Sequence, residues 1–348
     1  MVKKNLVLGV SGGIAVYKVP ELISRLRKKG LNIDVMMTQS ATEFVTPLTF
    51  REISQNPVHT AMFSENIQWN VEHIALARKA AAVAIVPATA NIIGKMASGI
   101  ADDLVTSTIM AARCPKLIAP AMNSGMYENP ATQRNLKILA GDGFTIVGPD
   151  SGQLLCGDEG IGRLAPLHEI EIFIEKLLSP QDLHNDTLLI TSGGTREPLD
   201  PVRFIGNHSS GKMGHALASA AFRRGAKVLL VTTASGAPCY GDMEVYPVNT
   251  TVEMREKVLE LAPRATIIIK AAAPADYRPA RMSNEKIKKD QTELELPLTL
   301  NPDILLELGQ KKRSGQMLVG FAAETHNLRQ YAMEKLNRKN LDLIIGNL

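Results

Sequence analysis

The sequence predicts an α/β protein built as two doubly wound, mostly parallel-sheet, Rossmann-like domains. Three observations carry this expectation. Short apolar runs of strand length alternate with amphipathic helical patterns along the chain. The alternation halts at the polar stretch SPQDLHND (residues 179–186) and then restarts, with TLLITSGG (187–194) echoing NLVLGVSGG (5–13). The length, 348 residues, is too great for one ordinary domain and suits two. The expected boundaries are a first domain over 1–178, a linker over 179–187 and a second domain over 188–348.

In order, NLVLGV reads as a buried strand and YKVPELISRLRKKG (17–30) as a helix stopped by Gly30, with Pro20 near its start. NIDVMMT (32–38), AAAVAIVPATA (80–90), KLIAPAMN (116–123) and FTIVGP (144–149) read as further strands, separated by helices such as PATQRNLKILAGDG (130–143). In the second half, ASAAFRRGAKVLLVTT (218–233) repeats the helix–basic–Gly–strand–Thr order of ISRLRKKGLNIDVMMT (23–38). An extra segment, TREPLDPVRFIGNH (195–208), follows the first strand of this copy. Open α/β sheets bind ligands at such carboxyl ends. ATIIIKAAAPADY (265–277) is a further strand with its loop, followed by a basic segment, and LDLIIGNL (341–348) is a last strand.

Composition narrows the function. Hydrophobic residues make up 45% and charged residues 21%, enough for a sizeable core. Aromatics at 4% argue against stacking platforms for single-stranded nucleic acid. A net charge of +4 demands no polyanion partner. Cys114, Cys156 and Cys239 are scattered and odd in number, which fits a reducing compartment better than disulfides or zinc. No apolar run reaches membrane-spanning length, so the expectation is a cytoplasmic protein with neither nucleic acid nor membrane as partner.

Neither glycine-rich turn reads G-x-G-x-x-G, and the second strands end in Met-Met-Thr and Val-Thr-Thr rather than in an acidic residue, which disfavours NAD. GNHSSGKM (206–213) matches a Walker loop until Met213, whose thioether cannot serve Mg²⁺. Gly211 and Gly214 still suit close backbone approach, and Ser209 and Ser210 can cap the helix and face an anion. His73, in EHIALA, is read most simply as a capped or core histidine. PATAN (87–91) and PAMN (120–123) place small and polar residues at a sheet edge, where Thr89 or Asn91 could instead cap a helix and Asn123 make a turn. Cys156, in the glycine-rich CGDEGIGR (156–163), is a candidate proton donor or nucleophile beside Arg163. Asp276 could hold a ribose or a metal. Lys286, Lys288 and Lys289 could neutralise phosphates or form a solvated face.

Taken as an ordered set, these motifs resemble the bifunctional bacterial coenzyme A biosynthesis family, which joins phosphopantothenoylcysteine decarboxylase to phosphopantothenate–cysteine ligase. GVSGGIAVYK, EHIALA, PATAN, PAMN and CGDEGIGR are similar to the flavodoxin-like, flavin-dependent decarboxylase half; SGGTREPLDPVRFIGNHSSGKMG, AAAPADYRP, EKIKK, NPDIL and GFAAET to the ligase half. The resemblance implies FMN against Ser11, Gly12, Gly13, Thr38, Thr89, Ala90 and Asn91. The thiol is oxidised to a thioaldehyde, CO₂ leaves, and the enethiol is reduced and protonated. His73 is implied at the oxidation, Asn123 on the substrate carboxylate, Cys156 as the acid of the reduction, and Arg163 on substrate. The ligase half is implied to use CTP and Mg²⁺ to activate 4′-phosphopantothenate as an acyl-cytidylate, which the amine of cysteine attacks. Ser209, Gly211 and Gly214 would line the triphosphate. Asn207, Ala272 and Ala273 would hold the acyl part. Asp276, Pro302, Asp303, Ile304, Phe321, Lys335 and Lys339 would meet the nucleotide, and Lys286 would stabilise developing charge. No metal ligands are assigned. The resemblance further implies decarboxylase trimers with FMN at subunit contacts and ligase dimers, hence a homo-oligomer up to a dodecamer. Pro274 and the IADDL segment depart from the family pattern. The pattern also continues past Gly346 and Asn347, so a shortened C-terminus is expected. A decarboxylase with an inactive ligase half and a non-catalytic regulatory flavoprotein are the alternatives.

Overall fold

The computed structural model describes residues 4–62, 72–153, 159–288, 295–323 and 326–347. It forms two compact units, Met1–Ser179 and Pro180–Leu348, each with its own sheet.

The first unit runs β1 (Asn5–Val10), α1 (Val19–Lys28), β2 (Asn32–Met37), α2 (Gln39–Thr42), α3 (Pro47–Ser54), β3 (Val58–His59), α4 (Glu72–Lys79), β4 (Ala82–Ala88), α5 (Ala90–Ala97), α6 (Leu104–Ala111), β5 (Lys116–Pro120), α7 (Ser124–Glu128), α8 (Pro130–Gly141), β6 (Phe144–Ile146), β7 (Asp150–Gln153), β8 (Glu159–Arg163) and α9 (Leu167–Leu178). Among the described residues the main sheet is parallel, in the order β3-β2-β1-β4-β5-β6, and β7 and β8 form an antiparallel pair beside it. The continuous apolar runs have a direct cause: helices cover both faces. Leu6 and Leu8 of β1 pack with Leu22 of α1 and Ile174 of α9 on one face, whereas Val7 packs with Ile92 of α5 and Val105 of α6 on the other. Pro20 does not break α1, because it sits in the first turn, where its missing N–H has no helical acceptor to lose.

The second unit runs β9 (Thr187–Ser192), β10 (Arg196–Pro198), β11 (Phe204–Gly206), α10 (Lys212–Arg223), β12 (Lys227–Thr232), β13 (Glu244–Pro247), α11 (Thr251–Leu261), β14 (Ile267–Lys270), β15 (Tyr277–Pro279), β16 (Leu298–Leu300), α12 (Ile304–Gln310), β17 (Met317–Ala323), α13 (Leu328–Arg338) and β18 (Leu343–Asn347). Its main sheet is again parallel, ordered β13-β12-β9-β14-β17-β18. The extra segment after β9 becomes the antiparallel pair β10–β11, and β15–β16 form another.

Both units are thus doubly wound parallel sheets, as the alternation predicts. Their strand order is 3-2-1-4-5-6. The flavodoxin order, 2-1-3-4-5, differs in the outer strands, but both place a ligand crevice where the winding reverses. Here that crevice lies between β1 and β4 in the first unit and between β9 and β14 in the second. The polar stretch expected as a linker is fastened to the second unit. Arg224 pairs with Asp182 at 2.7 Å, and the Leu183 N–H donates to the Arg224 carbonyl at 3.1 Å. Among the described residues no helix is long and apolar enough to cross a membrane.

Candidate active sites

In the first unit the ends of β1 and β4 are tied together by one hydroxyl. Ser11 Oγ donates to the Pro87 carbonyl at 2.8 Å and accepts from the Thr89 N–H at 3.0 Å. Thr89 in turn caps α5. The turn after β1 passes so close to α2 that a Cβ on Gly12 would lie 2.4 Å from the Ser40 Cβ and 2.6 Å from its carbonyl carbon. Only glycine fits there. These elements wall a cavity of about 1290 Å³ that also draws on the loop after β5 and the end of β8.

Of the residues expected from the sequence, Ser11, Gly12, Gly13, Thr38, Thr89, Ala90, Asn91, Asn123 and Arg163 all line this one cavity. Thr38 caps its helix by position but makes no side-chain cap bond; its Oγ1 is buried without a partner among the described residues. Asn123 does make a turn, its Oδ1 accepting from the Gly125 N–H at 2.9 Å. His73 lies in the first turn of α4 and does not line the cavity, although its Nδ1 is buried and unpartnered among the described residues. Cys156 lies outside the described residues.

Sequence reasoning missed Lys95, which lines the cavity and pairs with Asp102 at 2.8 Å. That hydrogen bond pushes its ammonium pKa up. Asp103, given no role from sequence, forms a capping box with Thr106 at the start of α6. The D-x-x-T spacing before an apolar run carried that signal.

In the second unit the corresponding crevice is built from the β9–α10 loop, the insertion and the loop after β14. Ser209 and Ser210, expected to cap α10, do not. Gly211 occupies the cap position with φ +75°, a left-handed conformation open to glycine, and no side chain caps the helix. Ser192 Oγ donates to the Gly211 carbonyl at 2.8 Å, holding the helix start against the end of β9.

Residues 271–276 are pinned from several sides. Asn207 Nδ2 donates to the Pro274 carbonyl at 2.9 Å. The Ala273 N–H donates to the Gly193 carbonyl at 2.9 Å, and the Ala272 N–H to Thr191 Oγ1 at 3.1 Å. The Ala275 N–H donates to buried Thr195, and Asn301 clasps both Ala275 and Asp276 through their carbonyls. Pro274 therefore sits in a fixed loop, with Asp276 exposed at its end.

The segment bearing exposed Lys286 is anchored by buried Asp200. Its carboxylate accepts from the N–H groups of Val202 and Arg203 at 2.8 Å, from the Arg203 guanidinium at 2.6 Å, and from the Ile287 N–H at 3.1 Å. Burial alone would push this carboxyl up; the Arg203 and amide donors override it and hold the pKa well below the usual range. A group with a depressed folded pKa contributes stability above its unfolded value of about 3.9, lost as pH falls through the folded value. Asp200→Asn should therefore lower the unfolding temperature of the second unit at neutral pH, with the difference from wild type shrinking in acid. It should also slow ligation, because Lys286 loses its anchor. Thermal scans across pH and a ligation assay check both.

Around the end of α13, Lys339 pairs with Asp303 at 2.7 Å and Lys335 Nζ donates to the Phe321 carbonyl at 2.8 Å. Asp303 caps α12 by accepting from the Leu306 N–H. Burial pushes its carboxyl up, but the Lys339 ammonium prevails and holds it below its ordinary value. Pro302 precedes this cap. The Ile304 side chain is in the apolar core, so only its backbone can meet a ligand. Among the described residues no group of three or more His, Cys, Asp or Glu side chains is placed to hold a metal.

Comparison with known proteins covers both units. The family model described as Flavoprotein matches residues 1–179, and that described as DNA/pantothenate metabolism flavoprotein C-terminal domain matches residues 183–348. The chain is 46% identical to the coenzyme A biosynthesis bifunctional protein CoaBC of Bacillus subtilis (strain 168), over 99% of this chain and 86% of the relative. It is 45% identical to the protein of that name from Escherichia coli (strain K12), with the same coverage. A crystal structure of the C-terminal domain of a CoaBC protein aligns at 39% identity and a TM-score of 0.43, over 49% of this chain and 80% of that one.

Proposed function

The chain belongs to the family of bifunctional coenzyme A biosynthesis proteins, and from that premise we propose how its residues divide the chemistry. The first unit is a flavoprotein and a phosphopantothenoylcysteine decarboxylase; the second is a phosphopantothenate–cysteine ligase.

The observation that carries the decarboxylase reading is the convergence of nine separately expected residues on one cavity at the β1–β4 switch point. At about 1290 Å³ it exceeds the roughly 300–1,000 Å³ typical of small-molecule pockets, which leaves room for a flavin and a substrate. The residues fit FMN: Gly12 and Gly13 line the cavity without side chains, and the buried Thr38 hydroxyl lacks a partner among the described residues that a ligand would supply. When bound, the flavin supplies a two-electron acceptor that returns the pair later in the cycle. Asn123 and Arg163 orient the substrate, and Cys156 donates the closing proton. His73 serves the oxidation step at the flavin of a neighbouring copy in the proposed trimer; its buried Nδ1, without a partner among the described residues and away from its own cavity, supports this. Thr38→Val should weaken flavin retention by roughly 10-fold, on the scale of one buried hydrogen bond. The absorbance of released flavin measures it.

In the second unit, CTP with Mg²⁺ activates 4′-phosphopantothenate. Ser209, Gly211 and Gly214 line its phosphates. Asn207, Ala272 and Ala273 hold the acyl part through a loop that is already fixed. Asp276, Pro302, Asp303, the Ile304 backbone, Phe321, Lys335 and Lys339 surround the nucleotide, and Lys286 meets the charge that develops on transfer.

The test is product analysis by mass spectrometry with 4′-phosphopantothenate, cysteine, Mg²⁺ and either CTP or ATP. The expected product with CTP is 4′-phosphopantetheine. Loss of CO₂ from supplied phosphopantothenoylcysteine without any ligation would reduce the reading to the decarboxylase alone.

A further inference from the structure

The end of β14 carries a charged group that the chemistry above does not use. Lys270 is the last residue of a central strand, paired with Thr191 on β9 and Gly320 on β17. It therefore stands at the crevice where the winding reverses, the ligand position of this architecture. Side chains two apart on a strand share a face. Lys270 thus lies beyond Ile268, which packs with Ile304 and Leu305 of α12. Only 8% of the residue is exposed, so most of the side chain is withdrawn from water. A buried amine left so is costly unless it is neutral or finds a counter-charge.

Its neighbours supply counter-charge only in part. Lys335 and Lys339, from the end of α13, and the carboxylates Asp303 and Asp276 are the charged groups that face it; β9 and β17 offer only Thr191 and Gly320 at its level. Asp303 is already committed to Lys339 and to capping α12. Asp276 is exposed to water.

We propose that Lys270 is a further binding residue of the ligase site, its amine meeting a phosphate group of the substrate that enters the crevice beside it. The inference rests on the ligase reading above. Burial first, then the two lysines, push its pKa down to about 7 despite the carboxylates, so an arriving phosphate can recruit a proton near physiological pH. The proton comes from solvent, and no bond in either substrate changes. The phosphate could belong to the nucleoside triphosphate or to the phosphate monoester of 4′-phosphopantothenate.

The experiment is calorimetric titration of the full chain with CTP–Mg²⁺ and, separately, with 4′-phosphopantothenate. It is run about one pH unit above the Lys270 value, in buffers of different ionisation enthalpy. Wild type should take up about one proton per site with one of the two ligands, which identifies the source. Lys270→Met should abolish the uptake and weaken that ligand by at least about tenfold, a change of about 1.4 kcal/mol. Lys270→Arg, permanently charged, should bind it without uptake. A cooperative thermal transition of the second unit, unchanged from wild type, shows that the variants fold. Equal affinity and equal uptake in wild type and Lys270→Met overturn the proposal while leaving the ligase reading intact. Failure of wild type to bind either ligand overturns the ligase reading, and this inference with it.

Discussion

Changing His73 to asparagine is expected to lower decarboxylation by about 10²- to 10⁴-fold, the range of a positioned general acid or base, while ligation continues. The variant should therefore accumulate phosphopantothenoylcysteine from 4′-phosphopantothenate, cysteine and CTP. The prediction is sharp because the single chain gives little reason to suspect this residue. His73 opens α4 and is absent from the cavity walls, yet its Nδ1 is buried with no partner among the described residues. A structural histidine would normally have both ring nitrogens satisfied when buried. If it serves only packing, asparagine at this position should alter the rate by a small factor, and the assignment to the oxidation step is lost. Flavin content separates the cases further: it should stay unchanged if the histidine acts in the oxidation step rather than in holding the flavin.

Gly214→Ala is expected to reduce ligation by about 100-fold or more, the effect of shifting a reacting group by about 1 Å, and to spare decarboxylation of supplied substrate. The added methyl would lie 2.5 Å from the Ser192 Cβ, 2.6 Å from its Oγ and 3.0 Å from its Cα. Ser192 ends β9, which is held on both sides by β12 and β14, so the strand cannot yield. The start of α10 must move instead. That would break the Ser192–Gly211 hydrogen bond and displace the turn at Gly211 and Ser209. Steady-state kinetics at saturating cysteine measure the loss. An undiminished kcat/KM for CTP would mean that the phosphates bind elsewhere in the crevice.

Much of this arrangement was legible in the chain because its causes are local. A strand covered on both faces must be apolar throughout, and a tight strand-to-helix turn must carry glycine. The runs ending at Ser11 and Ser192, with Gly12, Gly13, Gly193 and Gly194 beyond them, therefore read as strand-to-helix turns at the ligand edge of each sheet. The doubly wound architecture follows from the same alternation, since parallel strands require crossover helices.

Tertiary structure decided what depends on distant partners. Serine chemistry suggested that Ser209 or Ser210 would cap α10, but the chain enters that helix through left-handed Gly211, a geometry set by contact with β9. Asp200 and Lys286 belong to separate motifs, and only folding shows that the carboxylate of one anchors the backbone beside the other. Lys270 is the clearest case. In sequence it is the lysine that ends an apolar strand where a Walker enzyme would have aspartate. Its buried, charge-crowded setting arises because α12 and α13 bring Asp303, Lys335 and Lys339 around it from far along the chain. Desolvation and Coulomb energy depend on distances in space, and no spacing within the sequence encodes them.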